Sequence, residues 1–314
     1  MARKYVTLFL AACSVILMSS CKDGKNGLPE STGQPYEVVL EGDTDSIVTK
    51  VLTEDVPCLP QPEAMFNIIQ VRKGKASQLY QMVRNRVVVD IDSRQPDYSV
   101  KVSKDVVASP QLIIRIKAQS VGQLASRCNG EQLRNLIDEQ ELKHLASVVK
   151  PNAEKQREVK KLFDIDMKIP LDMDASKKGK DFLWLSNNAN SGMQGLLFLK
   201  VKREERLGVK NEERRVKNPL VSNSYADIKT DVDSILRKNM VGETDEMYMV
   251  IPQLAERGLW EMKGDAMGGP YVMRCIRKKG RYDVVVIGFV YAPEMKKRNL
   301  IKQLEALLTT IKIH

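Results

Sequence analysis

Residues 282–291, with the sequence YDVVVIGFVY, follow a second apolar run at residues 271–277, YVMRCIR. The connection KKGR at residues 278–281 separates the two runs and contains a glycine, which is the pattern of a β-hairpin. Beyond it, apolar residues recur at a helical period from Leu300 to Ile311 and predict an amphipathic helix with a buried stripe. Lys302 lies off that stripe, so the pattern places its side chain at the surface.

The upstream sequence alternates strand and helix signals in the same way. In residues 112–118, apolar side chains alternate with charged ones at the two-residue period of a half-buried strand. The order strand-helix-strand-strand-strand-helix occurs twice, at residues 66–149 and 196–311. Runs of strands followed by a helix predict the α+β class, with antiparallel sheets, helices on one face and two similar halves. We expect these halves at residues 36–150 and 151–314.

The N-terminus has the layout of a secretion signal. A basic pair, a mostly apolar run at residues 5–18 and two small residues precede Cys21. This order predicts a signal peptide at residues 1–20. It resembles the lipobox of bacterial lipoproteins, which implies that Cys21 receives a diacylglyceryl group and anchors the protein to a membrane. The alternative is an ordinary signal peptide that has a cysteine near its end.

The next stretch predicts how the folded part is attached. Residues 21–35 begin with the lipidated cysteine and are then rich in glycine, proline and polar residues, which is typical of a flexible tether. Lys22, rather than aspartate, follows Cys21, and by resemblance to lipoproteins of diderm bacteria this implies the outer membrane. No dense acidic cluster follows Cys21, so we expect the periplasmic face. Display at the cell surface is the alternative.

The composition limits the partners. Hydrophobic residues make up 43% and charged residues 29% of the chain, an ordinary globular balance. The net charge of +10 falls to +8 once Arg3 and Lys4 leave with the signal peptide. In an envelope protein this charge favours anionic glycan or lipid headgroups over nucleic acid, and the alternative is a solvated surface with no dedicated partner. We expect a membrane contact through the lipid, an envelope protein or anionic glycan as partner, and no nucleic acid. Aromatic residues are only 5%, which argues against a sugar-binding surface of many stacked rings.

Signatures of hydrolases and metal sites are absent from the sequence. Neither HExxH nor GxSxG occurs, and the only histidines are His144 and His314. A calcium-loop pattern begins at Asp172, but Lys177 and Leu183 stand where an EF-hand requires glycine and glutamate. We therefore predict no catalytic residue, metal ligand or cofactor site. Cys58, Cys128 and Cys275 remain after lipidation, and whether two of them form a disulfide stays open at this point.

Two places remain as candidates for chemistry or binding. Asp90 and Asp92 lie two apart on a predicted strand and hence on one face, where paired carboxylates could cleave glycosidic bonds. The second candidate is a glycine-rich segment that we interpret as a loop between strands. Its ring, charges and glycines are common parts of binding sites; the candidate ligand-binding residues are Trp260, Lys263, Asp265, Gly268 and Gly269. The alternatives are a plain turn that leads into the hairpin, with Trp260 buried in the core.

Four stretches carry a resemblance to a known family. They are residues 32–37 (TGQPYE), 258–271 (GLWEMKGDAMGGPY), 288–293 (GFVYAP) and 297–306. Together they resemble a family of bacterial envelope lipoproteins known as domain of unknown function 4837. The resemblance covers essentially the mature chain and implies an envelope lipoprotein, but it brings no assigned activity.

From these observations we expect a non-enzymatic lipoprotein of the outer membrane that binds or organises an envelope component. A tethered hydrolase that uses carboxylates on envelope glycan or peptide is the main alternative, and a purely structural assembly subunit is another. The ligand, the partner and the oligomeric state do not follow from the sequence.

Overall fold

The computed structural model describes residues 27–202, 225–278 and 282–313. The predicted signal peptide, Cys21 and His314 lie outside these residues. The helices are α1 (Ile47–Leu52), α2 (Gln78–Gln81), α3 (Val121–Arg127), α4 (Gly130–Val148), α5 (Ala153–Phe163), α6 (Tyr225–Asn239) and α7 (Arg298–Leu308). The strands are β1 (Glu37–Glu41), β2 (Asn67–Val71), β3 (Asn85–Ile91), β4 (Ser99–Lys104), β5 (Leu112–Ala118), β6 (Ile165–Asp166), β7 (Ala175–Gly179), β8 (Phe182–Ser186), β9 (Met193–Lys202), β10 (Tyr248–Val250), β11 (Arg257–Lys263), β12 (Gly268–Arg277), β13 (Tyr282–Tyr291) and β14 (Lys312–Ile313).

The described chain forms two compact units. The first contains the residues up to Asp45 together with Ile69–Arg127, and the second contains Ser46–Ile68 and the residues from Cys128 onward. The boundaries of these units differ from those of the predicted halves. Helices α1 and α4 lie within residues 36–150, the predicted first half, but both belong to the second unit. Among the described helices, none is both long enough and apolar enough to cross a membrane.

The first unit is built on a mixed five-stranded sheet. Its strands lie in the order β2-β1-β3-β5-β4, with β3 parallel to both β1 and β5 and with β4 antiparallel to β5. The predicted alternation in β5 is confirmed, because Ile114 and Ile116 are buried whereas Arg115 and Lys117 are exposed. The parallel pairs differ from the antiparallel expectation. They form because the chain makes long crossovers between β1 and β3 and between β3 and β5, and a strand's own pattern does not identify its neighbour.

The second unit is built on a seven-stranded antiparallel sheet. Its strands lie in the order β10-β11-β12-β13-β9-β8-β7. The predicted hairpin is confirmed as β12 and β13, with Tyr271 opposite Phe289 and Arg277 opposite Asp283. Alternate side chains of β13 enter two apolar clusters, so both faces of the sheet are buried.

The α+β class and the mainly antiparallel pairing are therefore confirmed, with two differences of detail. Helices cover both faces of the seven-stranded sheet: α5 and α7 contribute Val159 and Leu304 to one cluster, and α6 contributes Val232 to the other. Within the described residues, the two predicted halves differ in detail. The second half contains β11 as an additional strand, and its sheet is antiparallel whereas the first sheet is mixed.

The last helix has the predicted apolar stripe. Ile301, Leu304 and Leu307 are buried in the cluster beneath the sheet. The surface position predicted for Lys302 is wrong, because only 2% of this residue is exposed. Its ammonium group lies 2.8 Å from both carboxylate oxygens of Asp138, on α4. A long-range ion pair thus buries a lysine that the helical period placed in solvent.

Candidate functional site

The segment interpreted as a ligand-binding loop is instead a β-hairpin of β11 and β12. Trp260 lies in the middle of β11, directly opposite Gly269, and is only 3% exposed. Its indole Nε1 donates a hydrogen bond to the main-chain oxygen of Val290, and its ring packs edge-on against Phe289 at 5.3 Å between centroids. Trp260 is therefore part of the hydrophobic core, and its ring is not accessible to a ligand from solvent.

The other candidate residues of this hairpin have structural surroundings. A Cβ at Gly269 would lie 2.1 Å from the oxygen of Val290, so only glycine lets the indole reach that carbonyl. A Cβ at Gly268 would lie 2.9 Å from the main-chain oxygen of Trp260. Lys263 is exposed and donates a hydrogen bond to the Tyr248 hydroxyl at 3.3 Å. Asp265 is in the exposed turn and accepts a 2.6 Å hydrogen bond from the N–H of Ala266.

The two carboxylates proposed for acid–base chemistry are each paired with a cation. Asp90 forms an ion pair with Lys73. Asp92 accepts hydrogen bonds from the Arg94 guanidinium at 3.0 and 2.7 Å, and these bonds hold the pKa of Asp92 well below its usual range. A glycosidase acid needs the opposite displacement, a raised pKa. The geometry therefore gives the hydrolase alternative no support at these two residues.

An open apolar groove lies on the second unit, between the end of α4 and the segment that precedes β7. Its volume is about 610 Å³. Leu171 and Val148, on its two walls, are 59% and 56% exposed and together give the groove an exposed apolar surface. The apolar lining consists of Leu145, Val148, Val149, Pro170, Leu171, Met173 and Leu307.

Main-chain hydrogen bonds hold the two walls of the groove together. The N–H of Leu171 donates to the oxygen of Lys150 at 2.9 Å, and the N–H of Asn152 donates to the oxygen of Ile169 at 2.8 Å. The Asn152 side chain also caps α5 by accepting a hydrogen bond from the N–H of Lys155. These bonds fix the backbone of the segment around Leu171 against the backbone that follows α4, and so set the distance between the two walls.

A second, polar pocket of about 350 Å³ lies where β11 begins. Arg257 and Glu305 line it and form an ion pair at 2.7 Å, and Lys302 lies 3.0 Å from the other oxygen of Glu305. Burial alone would raise the pKa of Glu305, but the two cations outweigh burial and hold that pKa below its usual value. Burial, assisted by the charge of Glu256, raises the pKa of Tyr225 in the same pocket. Glu305 is therefore held as a structural anion.

Comparison with known proteins gives a family but no chemistry. Residues 152–310, just over half of the chain, match the family model described as Domain of unknown function (DUF4837). The chain belongs to the DUF4837 family. Residues 31–150 match a second model, Domain of unknown function (DUF8532). No curated protein and no solved structure matches the chain.

The groove draws on both matched segments. The wall that contains Pro170 and Leu171 lies within the DUF4837 segment, together with Leu307. The opposite wall, with Val148 and Val149, lies at the end of the DUF8532 segment. The sequence analysis missed this site. Its only local signal is two apolar residues at the end of a helix, before Pro151, which also fits an ordinary buried helix end.

Cysteines and possible metal ligands complete the inventory of this DUF4837 protein. No disulfide joins Cys58, Cys128 and Cys275; Cys58 is exposed and the other two are half-buried. His144 is half-buried on α4. Within residues 27–202, 225–278 and 282–313, no three histidine, cysteine or acidic side chains are grouped so that they could hold a metal ion.

Proposed function

We propose that this protein is a lipoprotein anchored at Cys21 in the outer membrane, on the periplasmic face, and that it binds a protein component of the envelope without a chemical step. The observation that supports binding is the open groove with Leu171 and Val148 exposed on fixed backbone. Exposed aliphatic side chains on rigid walls gain free energy when a partner's apolar side chains exclude water from them.

The lining of the groove favours a protein segment as the occupant. The groove has no aromatic ring among its lining residues, and stacking on rings is how a surface gains most from a sugar. Lys150 and Asp172 place opposite charges beside the apolar lining, and Gln303 adds an exposed amide. An apolar centre with a polar, hydrogen-bonding border is typical of protein–protein interfaces. We therefore assign a partner segment that presents apolar side chains between polar ones.

The test is site-specific photo-crosslinking in cells that produce the lipoprotein. A photo-reactive residue at position 171 should form a crosslink to one protein, at a segment that contains apolar side chains. The substitution Val148→Asp, on the opposite wall, should reduce that crosslink about tenfold, because it places a charge in the apolar interface. The matched control is position 259, since Leu259 is an exposed leucine of the same unit on β11, away from the groove.

The outcomes separate the alternatives. The proposal is supported if position 171 captures the same partner segment in repeated experiments and position 259 does not. A crosslink to a lipid acyl chain or to glycan would contradict the assigned partner. An equal crosslink from both positions, or one unaffected by Val148→Asp, would contradict the groove as the binding site.

A further inference from the structure

The edge strand β4 of the first unit is open to solvent. In the described part of the five-stranded sheet, β4 is the last strand and pairs with β5. Its side chains are exposed apart from that of Ser103, and they include Val100 at 42% and Val102 at 39%. An exposed edge with apolar side chains is a template for a further strand.

The register of the ladder shows which main-chain groups of β4 are directed outward. The N–H of Asp105 donates to the oxygen of Gln111 at 3.0 Å, just beyond the end of the β4–β5 pairing. Hydrogen-bonded and non-hydrogen-bonded pairs alternate in an antiparallel ladder. The odd-numbered residues of β4 therefore bond to β5, and the N–H and C=O groups of Val100, Val102 and Lys104 point away from it.

The two faces of this edge differ in chemistry. On one face Lys101 lies directly opposite Arg115, and Lys117, the next exposed cation along β5, has Asp90 of β3 opposite it. Like charges opposite each other on adjacent strands are unfavourable. Glu41 of β1 acts on Arg115 from within the sheet, and a strand added beside β4 would place an anion next to Lys101 as well. On the other face Val100 and Val102 present half-exposed apolar surface.

From this arrangement we infer that β4 binds an extended segment of a partner protein as a sixth strand of the sheet. The segment carries acidic residues at alternate positions, which meet Lys101 and Arg115, and apolar residues between them, which cover Val100 and Val102. Main-chain hydrogen bonds to the outward groups give affinity, and the alternating side chains give specificity. This surface is separate from the groove and does not depend on the function proposed for it.

Charge decides against a second copy of the chain as the occupant. Pairing of two β4 strands would place Lys101 and Lys104 of both copies on adjacent strands, and β4 (SVKVSK) offers no acidic side chain to neutralise them. An acidic segment neutralises the same cations, so it is favoured where self-pairing is not.

The test measures binding of a labelled peptide to the purified full-length protein by fluorescence anisotropy. The probe is a capped peptide of alternating glutamate and valine, about seven residues long, the usual length of a strand. The control probe is the same peptide with lysine in place of glutamate. The acidic peptide should bind at least roughly tenfold more tightly than the basic one. The substitution Lys101→Glu should reduce this preference or reverse it.

A backbone substitution tests strand addition itself. Val102→Pro removes an outward N–H but no bond to β5, so it should keep the fold and weaken binding of the acidic peptide roughly tenfold or more. Val102→Thr keeps the N–H and should bind like the original chain. Unchanged binding by a folded Val102→Pro variant, equal binding of both peptides, or a dimer of the protein alone in sedimentation would each overturn the proposal.

Discussion

The indole Nε1 of Trp260 donates a hydrogen bond to the main-chain oxygen of Val290, 3.1 Å away, across the intervening strand β12. Trp260→Ala should lower the free energy of unfolding by about 3–5 kcal/mol, because it removes a large buried ring. Trp260→Phe should cost less, about 1–3 kcal/mol, since it leaves a buried carbonyl without its donor. Urea unfolding measures both. The neighbour Leu259 is exposed, so Leu259→Ala is the control and should change little.

The close approach of the indole depends on Gly269. A Cβ there would lie 2.1 Å from the oxygen of Val290, so Gly269→Ala should destabilise the second unit by at least about 1–3 kcal/mol through forced displacement of backbone. The control is Gly122→Ala, in α3, where the nearest atom to a Cβ is 3.9 Å away. That change should be neutral or stabilising by up to about 1 kcal/mol. Equal effects of the two substitutions in urea would contradict this role of Gly269.

Lys302 is a buried partner of two carboxylates, Asp138 and Glu305. Lys302→Ala should cost about 3–5 kcal/mol, because it leaves two partly buried anions without their cation. The double variant Lys302→Met/Asp138→Leu should be more stable than Lys302→Ala, since it removes the charge from both sides of the pair. The exposed Lys296 provides the control, Lys296→Ala, which should be almost neutral. A similarly small effect of Lys302→Ala would refute the buried pair.

The lowered pKa of Glu305 predicts a pH dependence of stability. The folded protein binds fewer protons at this residue than the unfolded chain does. The stabilisation is therefore present above the ordinary pKa of glutamate and is lost as the pH falls through the lowered pKa. We expect the stability difference between the original chain and Glu305→Gln, measured by urea unfolding, to be largest near neutral pH and to shrink in acid. A difference that is constant between neutral and acid pH would contradict the assignment.

The anchoring prediction concerns Cys21, which lies outside the described residues. Cys21→Ala removes the thiol that the lipid group is predicted to modify. The variant should lose incorporation of a radiolabelled fatty acid and move from the membrane fraction to the soluble fraction. Cys58→Ala, a substitution at an exposed cysteine of the folded part, is the control and should keep both properties. Absence of lipid label on the original chain would remove the anchor from the proposal.

Elements whose burial follows a local period were predictable. The alternation in β5 and the stripe that includes Leu304 and Leu307 both appear as expected, because a regular element directs every second or every third to fourth side chain to the same side. The hairpin of β12 and β13 was predictable for a related reason: two apolar runs joined by a few residues have little choice of partner.

The misplaced candidate site has a definite cause. In β11, Trp260 and Met262 face the core while Glu261 and Lys263 are exposed, so the alternation covers only four residues. The glycines at positions 264, 268 and 269 that follow make the segment resemble a loop in sequence. Pairing with β10 and β12 makes it a strand. The same tertiary pairing brings Trp260 over Gly269, and it is this contact that converts a candidate binding residue into part of the core.

By itself, the sequence determined the α+β class, the hairpin and the last helix, because each follows from a pattern among neighbouring residues. Only the tertiary structure decided that Lys302 is buried against Asp138, that β3 has parallel neighbours, and that Val148 and Leu171 form one groove. The physical reason is that a periodic pattern indicates which side chains of a helix or strand face the core. It does not record which distant residue covers that side chain, and both the ion pair and the groove are made of such distant pairs.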